Sequence, residues 1–331
     1  MTLILTCVTS QFVVQVSDRR LTRASDGQIV ENPHNKALFV CGYATYAFAG
    51  LATMGRTPTD HWLMNHLAGK RDPLEELKTT TEAATQVLRN QTFGSASPQQ
   101  RRLWRKVAFV GGGYVGLKRP ERFGRSTQAD NLHPFLAVIS NFFDPPATWL
   151  AESDVRFALH FQFLPETEGM VLLAAGFQPT TRHRIRLERD IRRCIAHSQS
   201  PWPVARLLAR GVREVADRSS AVGKNVMCML LPRPSLPSDL SATGPRIVIN
   251  ERPALDEIEV FSPGDGHDES STEKHWVYWP HDPSAFPYYG PNLACGGWYL
   301  AGGKFGPAEL GDREVSESAP PPPAERRRPL P

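Results

Sequence analysis

The chain has 331 residues, of which 40% are hydrophobic and 22% charged, with a formal net charge of +4. These values are typical of a globular protein with a sizeable core, and the length predicts roughly two domains. They exclude several classes: the charge alone does not indicate nucleic acid, no apolar run reaches the roughly 20 residues that cross a membrane, and the start does not resemble a signal peptide. The five cysteines form no CxxC pair, which favours a reducing cytoplasm over a disulfide framework or a zinc site.

The first hundred residues predict two hairpins followed by two helices. Short β-rich runs separated by turn residues predict four strands, at residues 3–8, 12–17, 37–41 and 44–49. Apolar residues at helical spacing then predict helices over residues 58–68 and 73–92. The second of these begins at Asp72-Pro73, a cap followed by a proline at the first helical position.

The next part of the chain returns to strands and then to helices. Strands are predicted at residues 107–111, 135–143, 157–164, 170–175 and 225–231, and helices at residues 184–197 and 203–216. The strands around Pro165–Gly169 are expected to form a hairpin. Gly111–Gly113 matches no nucleotide-binding pattern, so a turn at the end of a strand is expected there. Segregated blocks of strands and helices predict an α+β fold rather than an alternating α/β one.

The last third of the chain differs in composition, since 17 of the 29 prolines lie in residues 232–331. Strand-like pieces occur at residues 246–250 and 257–261, and an aromatic cluster covers residues 275–299. The sequence therefore predicts a domain over residues 1–231, a partly ordered extension over 232–306 and a disordered tail over 307–331. We expect the aromatic part of the extension to pack against the domain.

The start of the chain carries the chemistry of greatest interest. Removal of Met1 would make Thr2 the first residue, with a hydroxyl nucleophile and a free α-amine side by side. The amine, with an ordinary pKa of about 7.7–8.0, can act as a general base near neutral pH. Many proteins begin Met-Thr without any such role, so this feature gains weight only from the residues that follow it.

Three short polar or glycine-containing segments follow Thr2, each at the start or end of a predicted strand. Asp18-Arg19-Arg20 ends the second predicted strand, Lys36 opens the third, and Ala49-Gly50 ends the fourth. This order resembles the opening of the proteasome β-subunit-type N-terminal-nucleophile (Ntn) hydrolases, which begin with Thr and continue with Asp-x-Arg, Lys and Ala-Gly. Taken singly, Asp18 and Arg20 also fit a turn salt bridge, Lys36 a solvated strand end and Gly50 a turn that enters a helix.

The resemblance implies a four-layer αββα sandwich over roughly residues 2–231 and a threonine-type peptidase or other amide hydrolase. Thr2 would be the nucleophile, Lys36 would lower the pKa of the hydroxyl and the amine, and Asp18 would hold Lys36. The backbone N–H of Gly50 would stabilise the oxyanion. Relatives of this kind often form rings, so a homo-oligomer acting on a peptide or other amide substrate is expected, with no cofactor and no metal.

A second, partial match lies after the last predicted helix, and a departure lies before the third. Asp217 and Ser220 form the Asp-x-x-Ser that supports the threonine in the family, although a plain helix end running into a serine turn explains them equally. Where the family has Gly-Ser-Gly, this chain has Gly176-Phe177-Gln178. The supporting serine is missing there, unless Thr180 or Thr181 replaces it.

Two other functions stay open. A catalytically inactive scaffold or binding protein of the same fold agrees with the missing serine and the unusual extension. A nucleic-acid-associated protein would use the arginine-rich helix over residues 184–197, but Glu188 and Asp190 interrupt the basic run, which favours a solvated helix face or a subunit contact. The histidines of residues 265–282 match no metal-ligand spacing.

Overall fold

The computed structural model describes most of the first 233 residues and several short segments after them. The described residues are 2–22, 29–30, 36–40, 43–67, 73–94, 96–117, 125, 132–144, 148–150, 152–198, 200–233, 248–249, 275–279, 288–289, 292–295, 298–300 and 304–305. The strand predicted at 257–261 and the tail predicted at 307–331 lie outside them. Within the described part there are five helices: α1 (Thr59–His66), α2 (Pro73–Asn90), α3 (Pro98–Trp104), α4 (Thr181–His197) and α5 (Trp202–Ala216).

The strands alternate with these helices in blocks. In chain order they are β1 (Leu3–Thr9), β2 (Phe12–Asp18), β3 (Leu21–Thr22), β4 (Ile29–Val30), β5 (Ala37–Val40), β6 (Ala44–Gly50), β7 (Thr53–Met54), β8 (Thr57–Pro58), β9 (Val107–Gly116), β10 (Leu132–Ser140), β11 (Phe143–Asp144), β12 (Thr148–Trp149), β13 (Ala158–Phe163), β14 (Met170–Gly176), β15 (Val226–Pro232), β16 (Val248–Ile249), β17 (His275–Trp279), β18 (Tyr288–Tyr289), β19 (Asn292–Cys295), β20 (Trp298–Leu300) and β21 (Lys304–Phe305). The α+β class is thereby confirmed. No helix of the described residues is long and apolar enough to cross a membrane.

Most of the strands belong to two large sheets. The first sheet has the order β14-β1-β2-β15-β17-β16, and the second has the order β13-β10-β9-β6-β5-β19-β20. Both hairpins predicted near the start are confirmed, since β1 pairs with β2 and β5 pairs with β6, each antiparallel. Short turns between β-rich apolar runs make these pairings local and therefore predictable from the sequence.

Three apolar cores organise these elements. One joins the first sheet to α4 and α5, with Leu5, Val14 and Leu208 among its members. A second joins the other sheet to α1 and α2, and includes Phe109. The third contains residues of both sheets, such as Ile4 on β1. Because successive side chains of a strand point to opposite faces, β1 contributes to two cores, which explains its nearly continuous apolar sequence.

The three consecutive glycines occupy the interior of β9 rather than a turn at its end, so that expectation was wrong. A Cβ on Gly111 would lie 2.1 Å from the ring of Tyr46, and one on Gly112 would lie 2.8 Å from the side chain of Val8 on the opposing sheet. The glycines are thus the places where a ring and a neighbouring sheet come closest to the backbone of β9. Packing, not turn geometry, requires them.

The hairpin predicted from residues 157–175 is also wrong. Both strands exist, as β13 and β14, but β13 pairs with β10 in the second sheet and β14 pairs with β1 in the first. The connection between them therefore passes from one sheet to the other. A short polar connection between two apolar runs is equally compatible with either arrangement, and the long-range pairing with β1 decides between them.

Strands from the predicted extension join the same two sheets. β17 pairs antiparallel with β15, and β16 pairs parallel with β17, at one end of the first sheet. β19 pairs parallel with β5 in the second sheet. The division of the chain at residue 231 stays a prediction, but pairing within each sheet continues across it.

Candidate active site

The side chain of Lys36 lies at the centre of the candidate site. Lys36 directly precedes β5, and its side chain is only 1% exposed. Its Nζ donates to Thr2 Oγ1 at 2.5 Å, to Asp18 Oδ1 at 2.9 Å and to the backbone carbonyl of Arg20. An ammonium group has three N–H donors. All three find acceptors here, so the charged form of Lys36 is fully hydrogen-bonded although it is buried.

Asp18 is the last residue of β2 and is completely buried. One carboxylate oxygen accepts from Lys36, and the other accepts from the backbone N–H of Gly223 at 2.8 Å. Burial raises the pKa of Asp18 and lowers the pKa of Lys36, because it penalises both charged forms. The charge of each partner opposes the shift of the other, which makes the pair mutually dependent.

Thr2 enters the site just before β1 and is 2% exposed. Its carbonyl accepts from the backbone N–H of Phe177 at 2.8 Å. The neighbouring Gly176 has a φ of +79°, and a Cβ there would lie 2.0 Å from the Thr2 carbonyl oxygen. Only glycine suits both the left-handed backbone and the close approach. The end of β14 therefore holds the backbone from which the Thr2 hydroxyl projects.

Gly50 ends β6, is exposed, and has a φ of +112°. A Cβ there would lie 1.8 Å from the carbonyl oxygen of Lys106, so the position requires glycine. The adjacent Ala49 lies beside Gly176, since the same hypothetical Cβ on Gly176 would be 3.0 Å from the Ala49 side chain. The end of β6 thus lies next to the residue that holds Thr2.

The other predicted supporting residues are placed less centrally. Asp217 is 59% exposed and forms an ion pair with Lys224 at 2.7 Å. Ser220 is exposed, and its backbone carbonyl accepts from the guanidinium of Arg20 at 2.6 Å. Thr180, which could replace the missing serine, caps the N-terminus of α4 by accepting from the backbone N–H of His183. The catalytic roles of Asp217 and Ser220 stay predictions.

Three contributions to the site were not anticipated from the sequence. The Arg20 carbonyl bonds Lys36, the Gly223 N–H bonds Asp18, and the positive φ of Gly176 brings β14 against Thr2. The glycine between a strand and a helix was a usable signal for Gly176. Backbone carbonyls and N–H groups carry no sequence signature, so the other two were not predictable.

Several basic side chains of the arginine-rich helix α4 form ion pairs within the protein. Arg186 pairs with Glu214 of α5, and the His183 ring also lies 3.4 Å from Glu214. Arg192 pairs with Glu188 at 2.8 Å one turn earlier. Several of its basic side chains therefore already have acidic partners, as expected for a solvated helix face. No cluster of three or more potential metal ligands occurs within the described residues.

No protein-family model matches the chain, and the curated proteins contain no match either. Similar solved structures include Anbu (ancestral beta-subunit) from Yersinia bercovieri, with 12% identity and a TM-score of 0.42, covering 70% of this chain and 81% of that one. They also include the Anbu Gly-1 mutant from Hyphomicrobium sp. strain MC1, with 12% identity, a TM-score of 0.42, and coverage of 70% and 82%. At this level of similarity, residue roles cannot be transferred from those structures and have to be argued from the geometry of the site.

Proposed function

We propose that this protein is an N-terminal threonine hydrolase that cleaves peptide or other amide bonds after Met1 is removed. The observation that carries the proposal is the contact of one buried lysine nitrogen with both the Thr2 hydroxyl and the Asp18 carboxylate, at 2.5 and 2.9 Å. A buried charge is expensive to maintain. Because the charge of Lys36 contacts a hydroxyl on the first residue after Met1, it can serve to activate that hydroxyl as a nucleophile.

The proposed reaction begins with attack of Thr2 Oγ on the carbonyl carbon of the substrate. The proton of the hydroxyl passes to the Thr2 α-amine, which removal of Met1 sets free. The charge of Lys36 stabilises the developing alkoxide and lowers the pKa of both the hydroxyl and the amine. Asp18 keeps Lys36 oriented towards the hydroxyl.

Collapse of the tetrahedral intermediate breaks the C–N bond, and the leaving amine takes the proton held by the Thr2 amine. The acyl group remains on Thr2 as an ester. Water then attacks this ester, releases the acid and returns a proton to Oγ. The Gly50 N–H, at the exposed strand end beside Gly176, is the proposed donor to the oxyanion.

We propose further that the described elements form a four-layer αββα sandwich. The three cores support this arrangement, because one lies between helices and the first sheet, one between the sheets and one between the second sheet and its helices. The homo-oligomer expected from the resemblance stays a prediction, which sedimentation equilibrium would test.

The decisive experiment joins intact-mass measurement to hydrolysis of a panel of fluorogenic peptide amides. We expect the purified protein to lack Met1, and Thr2→Ala to reduce hydrolysis at least about a thousandfold, with an unchanged circular dichroism spectrum. Thr2→Ser, which keeps a hydroxyl, is the matched control and should retain activity. An active protein that retains Met1, or a Thr2→Ala variant as active as the original, would refute the proposal.

A non-catalytic protein of the same fold is the second candidate. It is favoured by Phe177, which stands where a supporting serine was expected, and by the use of Thr180 as a helix cap. Complete retention of Met1 together with no turnover of any amide in the panel would favour this second function.

A further inference from the structure

We propose that strand β19, which comes from the predicted extension, is a working part of the site because it holds β5 and therefore Lys36 in place. Its catalytic consequence rests on the proposed function. Its structural part, the protection of the Lys36 amine, can be tested without any hydrolase activity.

The first argument is the position of β5 in its sheet. β5 has only four residues, and its neighbours are β6 on one side and β19 on the other. Without β19, it would be a short strand at the edge of the sheet, with unpaired backbone groups along one side. Short edge strands open more readily than central ones, and Lys36 is the residue directly before this strand.

The second argument is the packing of β19 on both faces of the sheet. In the parallel register Asn292 lies opposite Leu38 and Ala294 lies opposite Val40. Asn292 and Ala294 are each 2% exposed, and Ala294 belongs to the core formed with α1 and α2. Leu293 packs against the core shared by the two sheets. The strand is therefore anchored by side chains on both sides as well as by backbone pairing.

The third argument is that the hydrogen bonds of Lys36 reach across to other segments. Its three acceptors are on Thr2, Asp18 and Arg20, all from the first twenty residues of the chain. The lysine backbone, in contrast, leads directly into β5 of the second sheet. Small movements of β5 would therefore change the distance from Nζ to every one of its acceptors together.

The other strand from this segment provides a matched comparison. β17 pairs with β15 and not with β5, and Val226 separates its last residue, Trp279, from Asp18. A break in β17 would disturb the same C-terminal part of the chain without opening the edge of β5. Of these two strands, only β19 should therefore affect the protection of Lys36.

The experiment measures acetylation of individual lysines in the full chain by acetic anhydride, followed by peptide mass spectrometry. In Leu293→Pro, which interrupts β19, we expect Lys36 to react about tenfold faster than in the original protein. The partly exposed Lys224 is the internal reference and should not change. Val277→Pro in β17 and the conservative Leu293→Ile should leave Lys36 protected.

A milder variant decides the matter if Leu293→Pro fails to fold. Ala294→Gly lowers the stability of the strand and should speed acetylation of Lys36 about two- to fivefold. Equal acetylation rates of Lys36 in Ala294→Gly and the original protein would overturn the inference. Equal acetylation rates of Lys36 in Leu293→Pro and Val277→Pro would do the same. Absence of hydrolysis in the original protein, with the acetylation pattern as expected, would count against the proposed function alone.

Discussion

Two regions of this protein bring opposite charges together, and they do so under different conditions. In the site, the Lys36–Asp18 pair is 1% and 0% exposed at 2.9 Å. On α4, the Arg192–Glu188 pair is 48% and 40% exposed at 2.8 Å. The distances are nearly equal, so geometry alone does not separate the two pairs. The two pairs differ in their access to water.

The comparison teaches that a salt bridge has to be judged by its surroundings. Water screens the exposed pair and replaces either partner readily, so its net contribution is small. Inside the protein neither charge can recover its hydration, and each depends on the other and on neutral hydrogen-bonding groups such as the Gly223 N–H. Dependence of this kind is costly for stability and useful for holding a reactive group.

The largest effect is expected from Lys36→Met, which leaves Asp18 buried without its cationic partner. We expect the free energy of unfolding to fall by about 3–5 kcal/mol in urea titrations and hydrolysis to disappear. Adding Asp18→Leu should restore much of the stability, because no unpaired charge then remains, but it should not restore hydrolysis. A loss below about 1 kcal/mol in Lys36→Met would make the buried pair equivalent to a surface pair.

The next effect concerns the backbone that holds Thr2. Gly176→Ala places a methyl group against the Thr2 carbonyl, on a backbone in the left-handed conformation. It should therefore lower the free energy of unfolding by about 1–3 kcal/mol. The control is Gly169→Ala, because that glycine lies outside the left-handed region and an added Cβ would meet no atom within 4 Å. Its change should stay within about 0.5 kcal/mol. Similar thermal unfolding of both variants would contradict the proposed constraint.

A smaller effect is expected on α4. Arg192→Ala removes an exposed ion pair between residues one helical turn apart, so the free energy of unfolding should change by less than about 1 kcal/mol. Urea unfolding repeated in about 1 M salt should give a still smaller difference, since the charges are then screened. A loss as large as that of Lys36→Met would show that exposure does not distinguish the two regions.

The smallest effect is expected at His183, whose pair with Glu214 is intermediate in exposure, at 4% and 30%. Burial lowers the pKa of His183 from its usual 6.5, although the charge of Glu214 opposes the shift. The unfolded chain therefore takes up a proton near pH 6.5 while the folded protein resists it, so the free energy of unfolding should decrease as the pH falls below that value.

His183→Gln removes this contribution, and its unfolding free energy should decline less steeply between about pH 7 and pH 5. His66, whose pKa burial also lowers, is present in both proteins and provides the common background. Parallel stability curves for the two proteins would contradict the assignment to His183.

Local patterns predicted most elements of the fold but not their long-range pairing. The hairpins β1–β2 and β5–β6 were predictable because short turns join β-rich apolar runs. Helix α3 was not predicted, although Ser97 and Gln100 form a capping box that signals its start. The assignment of β13 and β14 to different sheets could not be predicted, because it depends on which distant strand each one meets.

The sequence by itself predicted most of the longer strands and helices, since local apolar patterns carry that information, and the resemblance of its opening segment marked Thr2, Asp18 and Lys36 as candidates. The tertiary structure alone decided that these side chains meet. Lys36 is 34 residues from Thr2 along the chain and bonds it across two sheets. Pairing register and the packing of one sheet on the other set that distance, and the two sheets include segments as far along the chain as β14 and β19.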